Sequence, residues 1–513
     1  MGPVGASDIL AGHAASRPDQ PALIEGDRVV TFAQLNSRAN QAAAVMAGLG
    51  CGVGDRVAIM AYNSVPGFEI SNGLRKSQGI VVPIGYRLRG GEVAYLLNDS
   101  GARVVCAGPE FVPVVEEARP QVKGRRAYVA LGVEPPAGWV GYEELMAAAP
   151  DREPEVGSAG SLGASMIYTS GTTGQPKGAY RPQGVNLENV LQVISIFELS
   201  DRDLHLMCGP GYHSAVAFFA GLHQLLGATN VIQRKFDAEP ALELIARHRV
   251  TTTFMAPILL KRLVDLPEAV RARHDTSSLR ALILGAAPCP QALKERAVAW
   301  LGEVLWEFYG ATETGINTVL RPEDQLRKPG SCGTAVPGQE IRLTDEEGVE
   351  VPAGQPGEFW VRNGWLAEYY NRPDATGRSQ RDGFFSVGDV AYRDGDGYYY
   401  ICDRKVDMII SGGVNIYPAE VEAALYAHPA VRDAAVIGVP DDEWGESVKA
   451  VVELRPGAKV SEQELIDFCA GRLASYKKPR SVDFVPELPR DLAGKMMKRE
   501  LKERYWAGAG RRV

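Results

Sequence analysis

Short apolar runs alternate with amphipathic stretches through the first three hundred residues, and nearly every strand-like run stops at a Gly- or Pro-rich turn. "RVAIMA" from Arg56, "GIVVPI" from Gly79 and "ARVVCAG" from Ala102 read as strands, with the helical "EVAYLLND" from Glu92 between the last two. The pattern continues through "ALELIARHRV", "TTTFMA", "PILLKRLV", "ALIL" at 281–284, "QALKERAVAWL" and "VLWEF" at 304–308. Strands separated by helices cannot pair as hairpins, so the pattern predicts parallel α/β sheets. In such sheets ligands sit at the carboxyl ends of the strands, so chemistry is expected in those turns.

Near Ile341 the period changes. "IRLTDEEGVEVPAGQPGEFWVRN" alternates residue by residue between Gly-rich turns and predicts a hairpin-rich β subdomain. After "YYYICDRK" the chain starts afresh, and "SEQELIDFCAGRLA" at Ser461 carries a Ser-x-x-Glu capping signature. A boundary is expected at residue 404, dividing a large domain, 1–403, from a small α+β domain, 404–513.

A chain of 513 residues has core enough to need no metal or disulfide staple. Its net charge of −8, without runs of one sign, argues against a nucleic-acid surface. Seven cysteines without CxxC or Cys/His pairing predict neither a disulfide framework nor a zinc site and fit a reducing cytoplasm. The most apolar segment, 214–232, is broken by His223, Gln224 and Asn230, which excludes a spanning helix and leaves peripheral membrane contact open.

"YTSGTTGQPKG", Tyr168 to Gly178, follows the strand-like "ASMI" and predicts a phosphate-holding loop. Its glycines free backbone N–H groups, Thr169, Ser170, Thr172 and Thr173 add hydroxyls, and Lys177 adds a cation. Pro176 stands where a Walker loop needs glycine, and the next helical pattern begins only near Asn186, so a kinase-like P-loop is excluded. "YGATETG", Tyr309 to Gly315, sets an aromatic ring, a hydroxyl and Glu313 together, a carboxylate suited to Mg²⁺. "LGAAPCP", Leu284 to Pro290, has only small residues, as close approach to a flat ligand requires. Asp389, Arg404 and Lys495 are polar positions in later turns.

These strings, in this order, resemble the adenylate-forming superfamily of acyl-CoA synthetases, carrier-linked adenylation domains and beetle luciferases. The resemblance implies a large N-terminal domain, a small mobile C-terminal domain and two steps. A carboxylate attacks the α-phosphorus of MgATP to give acyl-adenylate and pyrophosphate, and the thiol of CoA then displaces AMP. It assigns Thr169, Ser170, Gly171, Thr172, Thr173, Gly174 and Lys177 to the phosphates, and Thr312 and Glu313 to the α-phosphate and Mg²⁺. Tyr309 and the turn Gly285, Ala286, Ala287 and Pro288 sandwich the adenine, Gly310 and Ala311 also bind the nucleotide, and Asp389 and Arg404 hold the ribose. Lys495 serves adenylation, and Ser411, Gly412 and Gly413, before Asn415, face CoA in the second step.

Three positions depart from the family pattern. Val387 replaces a threonine, Ala493 precedes Gly494-Lys495 in place of threonine, and Val406 occupies the hinge position. "PGYHSAVAFFAG" matches the acyl-pocket segment, where His213, Ser214, Val216 and Phe219, with Gly310, offer no carboxylate for an amino group. The implied substrate is a fatty, aryl-alkanoic or steroid side-chain acid, with ATP, Mg²⁺ and CoA as cofactors and a homodimer as the expected assembly. A carrier-loading protein, a luciferase-like oxygenase and a silent nucleotide-binding protein are the alternatives.

Overall fold

In the computed structural model the described residues are 9–155, 164–169, 176–182, 184–404, 407–411, 414–441, 443–490 and 496–506. They form two compact units. The first comprises Met1–Gly285, Gly310–Gly315 and Asn363–Arg378, and the second comprises Ala286–Tyr309, Ile316–Arg362 and Ser379–Val513.

The first unit holds two largely parallel sheets with helices between most successive strands, as the alternation predicts. One runs in the order Ile80–Pro83, Arg56–Met60, Val104–Ala107, Ala127–Ala130, Val140–Gly141, parallel throughout. In the other, Ala281–Leu284, Thr252–Met255, Leu204–Met207, Thr229–Ile232 and Pro21–Glu25 are parallel, and Arg28–Thr31 joins antiparallel. Strands such as Val104–Ala107 and Ala281–Leu284 are buried along their whole length, which suits a sheet covered on both faces.

The helix ends are written locally. Thr31 and Gln34 form a reciprocal capping box on Phe32–Gly48. Pro257 opens Pro257–Val264, and Gly101 and Gly227 take left-handed conformations after Gly90–Ser100 and Ser214–Leu226. Phe32–Gly48 crosses Val65–Lys76 closely at Gly73, where a Cβ would stand 2.7 Å from the Ala39 carbonyl oxygen, so alanine there would force the helices apart.

In the second unit Glu340–Thr344, Gly357–Arg362, Gln380–Arg381, Phe384–Phe385, Asp389–Arg393 and Tyr399–Arg404 form an antiparallel sheet, as the alternation after Ile341 predicts. Its core is Leu343, Phe359, Val361, Ala391 and Tyr399. Beyond residue 404 a second, mixed sheet joins Val414–Ile416, Ile409–Ser411, Gly445–Leu454 and Val431–Asp441, with Ser481–Phe484 parallel on Gly445–Leu454. Helices Pro418–Tyr426 and Glu462–Ala470 bury Val421, Leu425, Leu465 and Ile466 in its core. At Ser461 the hydroxyl accepts the Glu464 N–H at 3.2 Å, and the neighbouring Glu462 accepts from Val482 N–H at 2.8 Å, tying the helix start to strand Ser481–Phe484. The fold is thus mixed α/β, with a large N-terminal domain of parallel sheets and a smaller C-terminal domain. Among the described residues no helix is long and apolar enough to cross a membrane.

Candidate active site

Thr169 ends and Lys177 begins the two strands that flank the glycine-threonine string. Strand Ser165–Thr169 pairs antiparallel with Lys177–Arg181, putting Thr169 opposite Lys177, and Glu368–Tyr369 adds a third strand. This hairpin replaces the strand-to-helix junction of a P-loop. The next helix, Leu187–Ile196, starts after Asn186, whose side chain accepts the Glu188 N–H. Ser170, Gly171, Thr172, Thr173 and Gly174 lie outside the described residues.

Glu313 is buried, at 6% exposure. Its Oε1 accepts two hydroxyl hydrogen bonds, from Thr169 at 3.0 Å and Tyr369 at 3.0 Å. Tyr369 also lies under Lys177, whose Nζ is 4.8 Å from the ring centroid. Burial holds the Lys177 pKa below its ordinary value, Arg378 and Arg372 press it down further, and Glu313 opposes them. Carboxylate and hydroxyl oxygens are the hard donors that Mg²⁺ takes. Among the described residues no group of three or more His, Cys, Asp or Glu could hold a metal ion by itself, and the lone Glu313 carboxylate with its hydroxyl partners fits a cation that takes its other ligands from phosphate oxygens and water.

The turn Thr312–Thr314 is held along its backbone. Its carbonyls accept from the Arg181 guanidinium at Thr312, from Ala367 N–H at 2.8 Å at Glu313, and from Asn363 Nδ2 at 2.9 Å at Thr314. Gly315 completes it at φ 70°, where a Cβ would strike the Trp365 ring at 2.7 Å. The Thr312 hydroxyl meets Ser214 Oγ at 3.1 Å, joining "YGATETG" to "PGYHSAVAFFAG".

Ser214 opens helix Ser214–Leu226, and His213 stands at its N-cap position. The approach Gly209–Gly211 is laced by Asn63, whose Nδ2 donates to the Gly209 and Gln233 carbonyls while its Oδ1 accepts from Gly211 N–H. The His213 ring packs on Tyr212 at 4.4 Å, and Tyr212 meets Tyr86 edge-on at 5.0 Å. Val216 is 4% exposed. Phe219 is fully enclosed between Phe197 and Phe254. Phe218, about 100° around the helix, is the half-buried ring and meets Trp365 at 5.4 Å.

In the second unit Tyr309 donates to Asp389 Oδ2 at 2.6 Å and sets its ring edge-on to Phe359 at 5.0 Å. Asp389 is opposite Arg404 in an antiparallel pair, so backbone pairing brings together the two residues assigned to the ribose. Tyr309, Gly310 and Ala311 belong to strand Leu305–Ala311, which leaves only Thr312–Thr314 as the turn of "YGATETG". In the small-residue string Gly285, Ala286, Ala287 and Pro288 form an irregular bend, with Ala286 at φ 70°, a left-handed conformation costly to an L side chain. Ser411 is buried in strand Ile409–Ser411. Gly412, Gly413, Val406 and Lys495 lie outside the described residues, as do the side chains of Arg404 and Asn415.

Tyr369, Arg181 and Trp365 escaped the sequence reading. Tyr369 is remote in sequence, and no spacing rule ties it to Glu313. Arg181 carried a usable signal, since a charge on a strand that shares its face with Lys177 and Ala179 is out of place unless it serves something.

Known proteins resemble this chain along nearly its whole length. Residues 10–371 match the AMP-binding enzyme family, and residues 420–495 match the AMP-binding enzyme C-terminal domain. The long-chain-fatty-acid–CoA ligase FadD13 of Mycobacterium tuberculosis is 37% identical over 510 residues, covering 97% of this chain and 98% of its own. The fatty acid–[acyl-carrier-protein] ligase ScoC of Streptomyces coeruleorubidus is 35% identical over 523 residues, covering 98% and 96%. ATP-bound MatB from Rhodopseudomonas palustris superposes with a TM-score of 0.87 at 29% identity, covering 97% of this chain and 99% of that one. The strings read from the sequence, the oxygen cluster at Glu313 and these matches meet in one conclusion: the chain belongs to the AMP-binding enzyme family, the adenylate-forming superfamily of the acyl-CoA ligases.

Proposed function

We propose that this chain is an AMP-forming acyl-CoA ligase for a fatty or other bulky apolar carboxylic acid. Attack of a carboxylate on the α-phosphorus builds charge on the phosphate oxygens and on departing pyrophosphate, so preset donors and cations supply most of the catalysis. Bound Mg²⁺ would supply charge neutralisation at the phosphates, and Glu313 with its Thr169 partner is the site that fits it. Lys177 stands on the phosphate side of the hairpin, and the Thr312 hydroxyl serves the α-phosphate. Tyr309, the 285–288 bend, Asp389 and Arg404 hold the nucleoside. Lys495 acts in adenylation only. The Ser411-Gly412-Gly413 edge of a small C-terminal domain, 404–513, faces CoA afterwards.

The observation that carries this reading is the convergence of Thr169, Lys177, Tyr369 and Glu313 at one hairpin end. The apolar substrate is supported by the lack of a carboxylate in "PGYHSAVAFFAG" and by the fatty acid in the names of FadD13 and ScoC. The activity in ScoC's name also favours a second reading, transfer to a carrier protein. A pyrophosphate-release screen over medium-chain, long-chain, aromatic and steroidal acids, with CoA or a phosphopantetheinylated carrier as acceptor, separates the two. Release of AMP with CoA supports the first, and release with the carrier alone replaces it. In the same assay Lys495→Ala is expected to abolish pyrophosphate release while sparing CoA transfer from preformed acyl-adenylate; equal loss of both half-reactions would defeat the proposed division.

A further inference from the structure

Arg181 ends the strand that Lys177 begins, and it is 8% exposed. The described hydrogen bonds of its guanidinium all end on main-chain carbonyls: Nε donates to Trp365 O at 2.6 Å and a terminal nitrogen to Thr312 O. Burial pushes its pKa down to about 10, against the attraction of Glu313, so it stays charged at neutral pH. Enclosing a cation is costly, and two neutral carbonyls compensate it less than a carboxylate would. What the arrangement achieves is geometric. The planar fork spans two chain segments, the Thr312–Thr314 turn and the stretch around Trp365, and ties both to the hairpin strand. The other two carbonyls of that turn are already held by Ala367 and Asn363, so Arg181 completes the clamp at the residue whose hydroxyl meets Ser214.

We propose that Arg181 is a positioning residue for adenylation, fixing the Thr312-Glu313 turn so that the threonine hydroxyl and the carboxylate are preset for the reacting phosphates. The inference rests on the roles given above to Thr312 and Glu313. The described bonds of Arg181 end on the main-chain carbonyls of Trp365 and Thr312, so its loss acts through the turn. The turn serves the first step, and therefore the two half-reactions should respond unequally.

The test uses the full chain with Arg181→Met and Arg181→Lys. In Arg181→Met, kcat for pyrophosphate release is expected to fall about 100-fold, the scale of an ångström-level misplacement of reacting groups. KM for the acid and the saturated rate of CoA transfer from preformed acyl-adenylate should stay within about 3-fold, because a weaker hold on the adenylate's α-phosphate is overcome at saturation and no pyrophosphate departs in that step. Arg181→Lys keeps the charge but cannot bridge both carbonyls, and should recover about 10-fold of the loss. Calorimetric affinity for a non-hydrolysable acyl-sulfamoyl-adenosine, read without turnover, should weaken about 10-fold in Arg181→Met, in line with a displaced threonine donor. A loss below about 3-fold, equal losses in both half-reactions, or losses that track the folded fraction in a parallel melt would overturn the proposal. If Arg181→Met does not fold, the same criteria apply to Arg181→Lys. A wild-type chain that releases no pyrophosphate with any acid would instead defeat the function beneath it.

Discussion

The Glu313 cluster of the first unit and the Tyr309–Asp389 pair of the second hold their groups by different physics. Around Glu313 the contacts are polar and buried: two hydroxyls on one carboxylate oxygen, a partly desolvated lysine over a ring, and a turn whose carbonyls are all taken. Around Asp389 the hydrogen bond from Tyr309 is accompanied by ring packing of Tyr309 on Phe359 and by strand pairing with Arg404. Phosphates carry dense charge and need donors fixed in advance, since reorganising dipoles during reaction costs energy. A nucleoside presents a flat face and a neutral diol, for which shape and one or two acceptors suffice. Asp389 is nearly as buried as Glu313, at 8% against 6%, so the contrast lies in the charge to be met: the cluster proposed for phosphates should be brittle and the pair proposed for the nucleoside tolerant.

The largest test of that contrast is Glu313→Gln. The amide oxygen can still accept from Thr169 and Tyr369, so the melting temperature should hardly move, while pyrophosphate release should fall about 10²- to 10³-fold. A loss under 5-fold would mean that the carboxylate charge is not what the cluster provides.

The next concerns acid. Beneath helix Ser214–Leu226, His223 and His205 stack at 4.1 Å, bridged by Thr252, whose hydroxyl lies 2.8 Å from His223 Nε2 and 3.0 Å from His205 Nδ1. Burial lowers the His223 pKa from its ordinary 6.5 to about 4, against its hydrogen bond to the Phe219 carbonyl and the charge of Asp203, and with help from Arg280. His205, likewise desolvated and facing His223, is held well below its ordinary value. A depressed folded-state pKa means that the unfolded chain binds the proton first. The stability is whole above about pH 6.5 and drains as pH falls toward 4, by roughly 3 kcal/mol for His223 alone. Denaturant midpoints between pH 7.5 and 4.5 should record this slope, and His223→Gln should flatten it; an unchanged slope in the variant would place the acid sensitivity elsewhere.

The smallest expected effect falls in the second unit. Tyr309→Phe removes one hydroxyl and keeps the ring on Phe359, so KM for ATP should rise about 5- to 10-fold, equivalent to about 1 kcal/mol, with kcat nearly unchanged. A drop in kcat comparable to that of Glu313→Gln would erase the distinction between the two sites.

Alternation of short apolar runs with helical stretches was enough to predict the parallel sheets, and the change of period near Ile341 predicted the antiparallel one. Local chemistry set the ends, as at Thr31, Pro257 and Asn186, because capping and fixed φ act within a turn of chain. The strings around Lys177, Glu313 and Asp389 were legible for the same reason: closely spaced residues declare their chemistry together. Position along the helix was legible less finely. Phe219 and Phe218 differ by one step of rotation, and only packing against Phe197 and Phe254 decides which ring is enclosed.

Tertiary structure alone decided what surrounds the strings. Tyr369 reaches Glu313 across 56 residues, Thr169 across 144, and Arg181 reaches Thr312 across 131. Contacts at such separations depend on strand register and on the return of a distant segment, and neither leaves a period in the sequence. Residue types, order and local periodicity therefore name the family and its chemistry. The folded chain decides which groups hold that chemistry in place, because orientation arises from packing between segments that the sequence keeps far apart.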